Sequence, residues 1–388
     1  MNKFEIKYSF LEQFMTSLFT FLSLYIATKY LSIQSLGFFT SAFSINQSLS
    51  FILFGLILLP LSSSKNLKYI NTSFVYLIFL NIFFIFFCPL ALYFFDAFKY
   101  LENKFLLLFF LNIYFVSYTF FEYLRWLSIK LNGPKKTFII SLFRFSLFIF
   151  LVFWNDLEFT SGKKYVNTII LVNFLSIFLL FYHISDLKYF KIKFKNIFYS
   201  KIHFSILGNS VTSFICNFFT IVLLNNLSGS LAISAYQTIK SITNPIGMVG
   251  QIIDNHLASY ISNLKNFNTV NNFKIFLIIG TFFIIILSII FGKKLESLIF
   301  NNIYDDFWYF IPLLVIGSLS HTLTRPIFVD WRVNMKNKLI NFYSLFTLLM
   351  IIPTISIFYY LENIFLIILI SSIYPLISFF LYKINKDL

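Results

Sequence analysis

The stretch Tyr165–Lys201, YVNTIILVNFLSIFLLFYHISDLKYFKIKFKNIFYSK, decides the fold. Its first twenty residues, 165–184, contain no Asp, Glu, Lys or Arg. As a helix rising about 1.5 Å per residue they reach about 30 Å, the thickness of a bilayer's hydrocarbon core. The chain then turns basic, with Lys188, Lys191, Lys193, Lys195 and Lys201 against one acid, Asp186. An apolar run closed by a basic connector is how a helix ends on the cytoplasmic face of a membrane. The composition demands the same solvent for the rest of the chain. With 59% hydrophobic and 12% charged residues over 388 positions, and a mean hydropathy of +0.82, there is too little polar surface to cover a soluble domain.

Working outward from that stretch, apolar runs fall at 10–30, 37–61, 72–95, 105–128, 137–153 and 165–184, then at 201–225, 230–258, 273–292, 307–325, 339–360 and 363–382. The expected fold is an all-α polytopic membrane protein of about 12 transmembrane helices. With the N-terminus cytoplasmic, the connectors on that side hold 21 Lys and Arg, and those on the other side hold seven: Lys29, Lys99, Lys104, Lys163, Lys164, Lys293 and Lys294. Only the Lys/Arg bias sets orientation, so both termini are expected in the cytoplasm. The formal charge of +15 is then a consequence of topology and does not mark a nucleic-acid surface. The four tryptophans, Trp126, Trp154, Trp308 and Trp331, lie at span ends, where an amphipathic ring favours the interface. The first span is expected to be retained, since no small-residue cleavage site follows it.

The longest connector lies at the midpoint of the sequence. Shifting the chain on itself by 196 residues aligns 6–32 with 202–228, with seven identities in 27 positions (Thr16 on Thr212 and Ser17 on Ser213 among them). Chance in this composition gives about two. At a shift of 200, Arg125 falls on Arg325. Six spans plus six make a parallel repeat: an N-terminal lobe over 1–190, a basic linker at 191–200, and a C-terminal lobe over 201–388. Such repeats place the substrate site between the halves.

Polar residues inside the spans point to that interface. Along the eighth span, Asn244, Gly247, Gln251, Asp254 and Ala258 lie within about 40° of Lys240 on a helical wheel. Pro245 is expected to kink this helix. Weaker stripes run through Glu12, Thr16, Thr20 and Ser23; Thr40, Ser44 and Gln47; and Asn209, Ser213, Cys216 and Thr220. Ser and Thr in such stripes also serve plain helix packing in lipid. A lysine near mid-bilayer is harder to explain as packing, because insertion costs about 2.5–3.5 kcal/mol. Arg144 serves the site, snorkels to the interface, or pairs with a neighbouring carboxylate. Glu122 and Arg125, three apart, read as a local ion pair. Glu12 and Asp254 either exchange a coupling ion or reach the interface. His183, His203, His256 and His321 have no paired spacing and are expected at headgroups.

Cys88 and Cys216 make neither a disulfide framework nor a metal site. No catalytic arrangement and no Gly-rich phosphate loop is present, so neither an enzyme nor a cofactor is expected.

Four segments carry a family resemblance: Phe10–Thr28, the entry Leu36-Gly37-Phe38-Phe39-Thr40-Ser41-Ala42, the connector Arg125…Lys135-Lys136, and the entry Ala235-Tyr236-Gln237-Thr238. Through them nearly the whole chain resembles the bacterial polysaccharide-exporter (O-antigen flippase-like) branch of the superfamily that includes multidrug and toxin extruders and lipid II flippases. The resemblance implies two six-helix lobes in a V around a cavity lined by helices one, two, seven and eight. It implies an inner-membrane flippase that moves polyprenyl-diphosphate-linked oligosaccharide to the outer leaflet during surface-polysaccharide synthesis, with other polysaccharide-assembly proteins of the membrane as candidate partners. Lys240 and Arg144 would attract the diphosphate, while Asn209, Asn244, Gln251 and Gln47 would bind sugar hydroxyls. Glu12, Asp254 and Glu122 are the candidate ion-coupling residues. A cation-coupled drug or metabolite extruder of the same fold is the alternative, and a non-transporting scaffold a third reading.

Overall fold

The computed structural model describes residues 3–63, 67–95, 104–154, 162–184, 207–261, 268–333 and 337–386, and within them the side chains at 244–281 and 325–340, with shorter stretches mostly at helix ends (3–6, 33–34, 38, 62–63, 67–69, 88–95, 104–107, 162, 207, 230, 378–379 and 381–386), lie outside the described set. The expected linker at 191–200 lies outside it as well. The described residues form twelve long helices: α1 (Lys3–Tyr30), α2 (33–63), α3 (Leu67–Phe95), α4 (Lys104–Asn132), α5 (Pro134–Trp154), α6 (Gly162–Ile184), α7 (207–228), α8 (230–261), α9 (Asn268–Phe300), α10 (Phe310–Val333), α11 (Asn337–Tyr360) and α12 (Ile364–Lys386). The chain is an all-α polytopic membrane protein. Twenty or more residues per helix match the apolar runs because each run has to satisfy its own backbone in lipid.

Seven of these helices qualify as spans by length and hydropathy alone, and parts of α10 and α12 are shorter apolar runs. α4 and α8 carry Glu122, Arg125 and Lys240 towards the interior of the bundle. A helix surrounded by protein does not need to be apolar on every side.

Local chemistry sets the bends. In α2 the turn over Phe54–Leu58 widens to a π-helix just before Pro60, relieving the ring's clash with a carbonyl four residues back and its missing N–H. Ser32 caps the start of α2 by accepting from the Ser35 N–H at 3.3 Å. Between α7 and α8 the reversal takes one residue, Gly229, at φ 72° and ψ −165°, a region that essentially only glycine enters. α8 stays helical on both sides of Pro245.

The outside of the bundle is apolar and the inside is mixed. Phe86, Phe153, Phe178, Tyr182, Phe282 and Leu298 are exposed, which suits lipid and would be an aggregation surface in water. Two apolar clusters belong to the first six helices, apart from Val222, Phe214 and Phe218 of α7. Two belong to the last six, apart from a contact with Tyr25. The pairings α1–α5, α4–α6 and α5–α6 recur six helices later as α7–α11, α10–α12 and α11–α12. The two sets meet where α1 and α2 pack against α7 and α8.

Two expectations are corrected here. Trp126 does not sit at the lipid interface: it is buried, edge-on to Phe54 with ring centroids 5.6 Å apart. His321, near the end of the apolar run Phe310–Thr324, lines the interior opening instead of reaching headgroups, edge-on to Tyr374 at 5.3 Å. Both face inward because the interior has a polar opening that offers their N–H groups an alternative to headgroups.

Candidate functional site

That opening is a cavity of about 290 Å³ between the two sets of helices. From the first set, α1 contributes Gln13, Thr16 and Thr20, α2 contributes Asn46, Gln47 and Ser50, α4 contributes Tyr114, Tyr118, Glu122 and Arg125, and α5 contributes Arg144. The facing wall is Ser213 and Asn217 on α7, Tyr236 and Lys240 on α8, Ser318, His321 and Thr322 on α10, and Ser371, Ser372 and Tyr374 on α12.

The acids next to this cavity are already paired. Arg125 donates through Nη1 to both oxygens of Glu12, at 2.7 and 2.8 Å, and through Nε and Nη2 to Glu122 Oε2, at 3.0 and 2.7 Å. Glu12 Oε1 also accepts from Ser141 Oγ at 3.1 Å and from Thr16 Oγ1 at 3.2 Å. Glu12, Glu122 and Arg125 are 2%, 5% and 4% exposed. The Arg125 guanidinium therefore ties α4 to α1, and Glu12 carries the link on to α5 through Ser141; the fork geometry of arginine lets one side chain hold both carboxylates.

The other two cations are held by amides. Arg144 lies between the rings of Phe19 and Phe121, 3.9 Å from each centroid, and donates twice to Asn173 Oδ1, at 3.1 and 2.7 Å. Asn173 in turn donates to Ser117 Oγ at 3.3 Å. Lys240 Nζ donates to Asn217 Oδ1 at 2.5 Å and lies 5.2 Å from the Tyr236 ring centroid. Among the described residues the only side-chain ion pairs near the cavity are those of Arg125, so its electrostatic excess is positive.

Two acceptors on the α2 wall are buried without a hydrogen-bond partner, Asn46 Oδ1 and Gln47 Oε1. Each offers a lone pair to any donor that enters, and an unmet buried acceptor is costly. On the opposite wall Tyr374 donates to Ser213 Oγ at 2.7 Å, and Ser318 to Thr243 Oγ1 at 3.1 Å. The arrangement can bind a polar, hydroxyl-bearing molecule with negative charge.

Lys240, Arg144, Gln47 and Glu122 come together around this cavity. Glu12 sits behind it in the Arg125 cluster. Asn209 is half-buried on α7, outside the described lining. The side chains of Asn244, Gln251 and Asp254 lie outside the described residues. The Thr40–Ser44 stripe does not face the cavity: Thr40 donates to Leu36 O at 2.8 Å and Ser44 to Thr40 O at 2.5 Å, both fully buried. Their chemistry is helix packing. Sequence reasoning missed Asn46, Asn217, Tyr114, Tyr118 and the α10 and α12 residues. The pair Ser371-Ser372 inside an otherwise apolar run was a usable signal.

The repeat is visible in side-chain contacts too. At the offsets of 196 and 200, Glu12 corresponds to Gly208, Ser141 to Asn341 and Arg144 to Ser344. Where Glu12 meets Ser141 in the first half, the Gly208 N–H donates to Asn341 Oδ1 at 3.2 Å in the second, and Thr212 donates to Ser344 O at 3.0 Å.

No protein-family model matches the chain, and no curated protein sequence does. Solved structures do. The inward-facing conformation of a multidrug resistance MATE family transporter of the MOP superfamily superposes with a TM-score of 0.64 at 13% identity, covering 96% of this chain and 94% of that one. A Vibrio cholerae MATE transporter gives 0.59 at 12% identity, covering 99% and 95%. A MOP superfamily transporter from Pyrococcus furiosus, described as having a binding pocket of reverse polarity that suggests a different function, gives 0.58 at 11% identity, covering 98% and 94%. At these identities the likeness is one of fold.

Proposed function

We propose that this chain is a flippase of the bacterial cytoplasmic membrane, with both termini in the cytoplasm, that moves polyprenyl-diphosphate-linked oligosaccharide repeat units to the outer leaflet. The observation that carries this reading is the charge balance of the cavity. Among the described residues, both acids beside it are bound to Arg125, while Lys240 and Arg144 donate their hydrogen bonds to neutral amides. A site for cationic drugs needs free carboxylates. An anionic headgroup needs cations that no carboxylate has paired, with hydroxyls and amides for its sugars. The fold supports transport by rocking one helix set against the other, and the Pyrococcus neighbour is a case of this fold with a pocket of altered polarity. In this reading Lys240 and Arg144 meet the diphosphate, Asn46 and Gln47 accept from sugar hydroxyls, and the polyprenyl tail stays in lipid.

The test is made in the source organism with the gene deleted and restored as wild type or as Lys240→Glu/Arg144→Glu. Surface polysaccharide and the cytoplasmic-leaflet pool of lipid-linked oligosaccharide are measured together. Loss of surface glycan with an accumulated, sugar-complete lipid intermediate, not rescued by the normally expressed double variant, is the expected result. Unchanged glycan and lipid pools on deletion would move the assignment to an extruder, and drug efflux would then decide.

A further inference from the structure

Four groups form one directional chain across the boundary between the helix sets. Lys240 Nζ donates to Asn217 Oδ1 at 2.5 Å. The Asn217 amide donates through Nδ2 to Ser48 Oγ at 2.6 Å, crossing from α7 to α2. Ser48 donates to the Ser44 carbonyl at 2.9 Å. Tyr236 OH donates to the same Asn217 oxygen at 3.5 Å. Ser48 and Asn217 are 0% and 7% exposed, so water does not compete for their bond. Lys240 is only half-buried and lines the cavity.

The direction of the chain matters. A cation at the amide oxygen draws charge away from the amide nitrogen and makes its N–H a stronger donor, and linked bonds in a low-dielectric interior reinforce each other in this way. The bond between the halves at Ser48 is therefore strongest while Lys240 rests on Asn217. A phosphate or carboxylate oxygen entering the cavity is a better acceptor for an ammonium group than a neutral amide. It would draw Lys240 off Asn217 and weaken the contact between α7 and α2.

We infer that Lys240, Asn217 and Ser48 form a latch that an anionic substrate releases, so that occupation of the cavity is itself what loosens the two helix sets. This rests on the anionic-substrate reading above and adds to it the coupling between binding and movement. A ligand shifts a two-state equilibrium only through its different affinity for the two states. The latch supplies that difference, since Lys240 is free to bind an anion only in the unlatched state. Lys240 is then a residue that touches substrate, while Asn217 and Ser48 are positioning residues.

The experiment uses the full chain in lipid nanodiscs, with farnesyl diphosphate as the probe. Its affinity is measured by calorimetry. Separation of the helix sets is read as the electron-paramagnetic-resonance distance between spin labels at Tyr30→Cys and Tyr360→Cys, in a Cys88→Ser/Cys216→Ser background. Tyr30 and Tyr360 are exposed, belong to different sets and lie at the end opposite the termini. Wild type is expected to change its distance distribution when probe is added. Ser48→Ala keeps Lys240 and deletes only the crossing bond. It is expected to show part of that change without probe and to bind probe about fivefold more tightly, the equivalent of one net hydrogen bond. Asn217→Asp, which clamps Lys240 with a carboxylate, is expected to weaken probe binding about tenfold or more.

If Ser48→Ala matches wild type in both affinity and distance while Lys240→Gln abolishes binding, the latch is wrong and the anionic-substrate reading stands. If Lys240→Gln binds the probe as wild type does, the anionic reading is wrong and substrate release of the latch falls with it.

Discussion

Arg125→Ala should be the most damaging single substitution in the first half of the chain. Arg125 makes four hydrogen bonds of 2.7–3.0 Å to two carboxylates, and the side chains of Arg125, Glu12 and Glu122 are 5%, 2% and 7% exposed. Removing the guanidinium leaves two carboxylates facing one another in a low-dielectric interior. Breaking a buried pair on one side costs about 3–5 kcal/mol, against about 0–1 kcal/mol for a solvated surface pair. The assay is SDS-driven unfolding in mixed micelles, followed by tryptophan fluorescence. A companion variant, Glu12→Gln/Arg125→Met/Glu122→Gln, removes all three charges and should recover stability to within about 1 kcal/mol of wild type, because a neutral set has no unpaired charge to bury. A loss below about 1 kcal/mol in Arg125→Ala would show that water reaches the cluster, and the burial reasoning would be wrong. The companion also separates structure from transport. If it folds and carries substrate, the cluster is a brace, and if it folds without transport, at least one of Glu12, Glu122 and Arg125 takes part in the cycle.

Gly208→Ala should destabilise by about 1–3 kcal/mol through overpacking. Its new Cβ would lie 2.6 Å from Asn341 Oδ1 and 3.1 Å from Asn341 Cα, so adding Asn341→Ala should recover the loss only in part in the same unfolding assay. Arg144→Lys should behave as a radical change, since an ammonium cannot fill the slot between Phe19 and Phe121 or donate twice to Asn173. Unfolding should show a loss of about 1–3 kcal/mol, and an unaffected melt would mean that the stacked arrangement is not maintained. Thr40→Ala should leave transport unchanged, because its hydroxyl is spent on the Leu36 carbonyl. A transport defect at normal expression would return this stripe to the cavity.

The helices were legible because lipid leaves the chain little choice. The twenty residues at 165–184 and the lysines after them define α6 without any tertiary information. Lys240 was legible for the same reason, since a charge at that depth needs a polar surrounding. Partners were not. Glu12 and Arg125 are 113 positions apart, and periodicity tells which face of a helix is polar but not what that face meets. Ser44 and Asn46 show the limit on a single helix. Two positions apart, both are buried, yet Ser44 bonds its own backbone while Asn46 lines the cavity with an unmatched oxygen. A Ser hydroxyl can reach back to the preceding turn, whereas an Asn carbonyl cannot accept from a backbone N–H already used in the helix. Polar stripes of Asn and Gln therefore mark a cavity more dependably than stripes of Ser and Thr.

The two halves also divide the work unequally, and the repeat shows how. Glu12, Glu122 and Arg144 correspond to Gly208, Thr322 and Ser344, so these buried charges of the first half have neutral counterparts in the second, whereas Arg125 falls on Arg325. The reverse holds on the cavity-facing helices, where Lys240 corresponds to Ser44 at an offset of 196. The first half keeps its charges locked: Arg125 is bonded to two acids, and Arg144 is stacked between rings and bonded to Asn173. Such a set is rigid because any movement of α1, α4 or α5 breaks a charge-assisted bond. Among the described residues the second half places one lysine on the cavity wall, Lys240, on a flexible stem resting on a neutral amide. A rigid wall can orient a bound anion but cannot signal that it has arrived. A mobile cation on the facing wall can, because it has two acceptors to choose between.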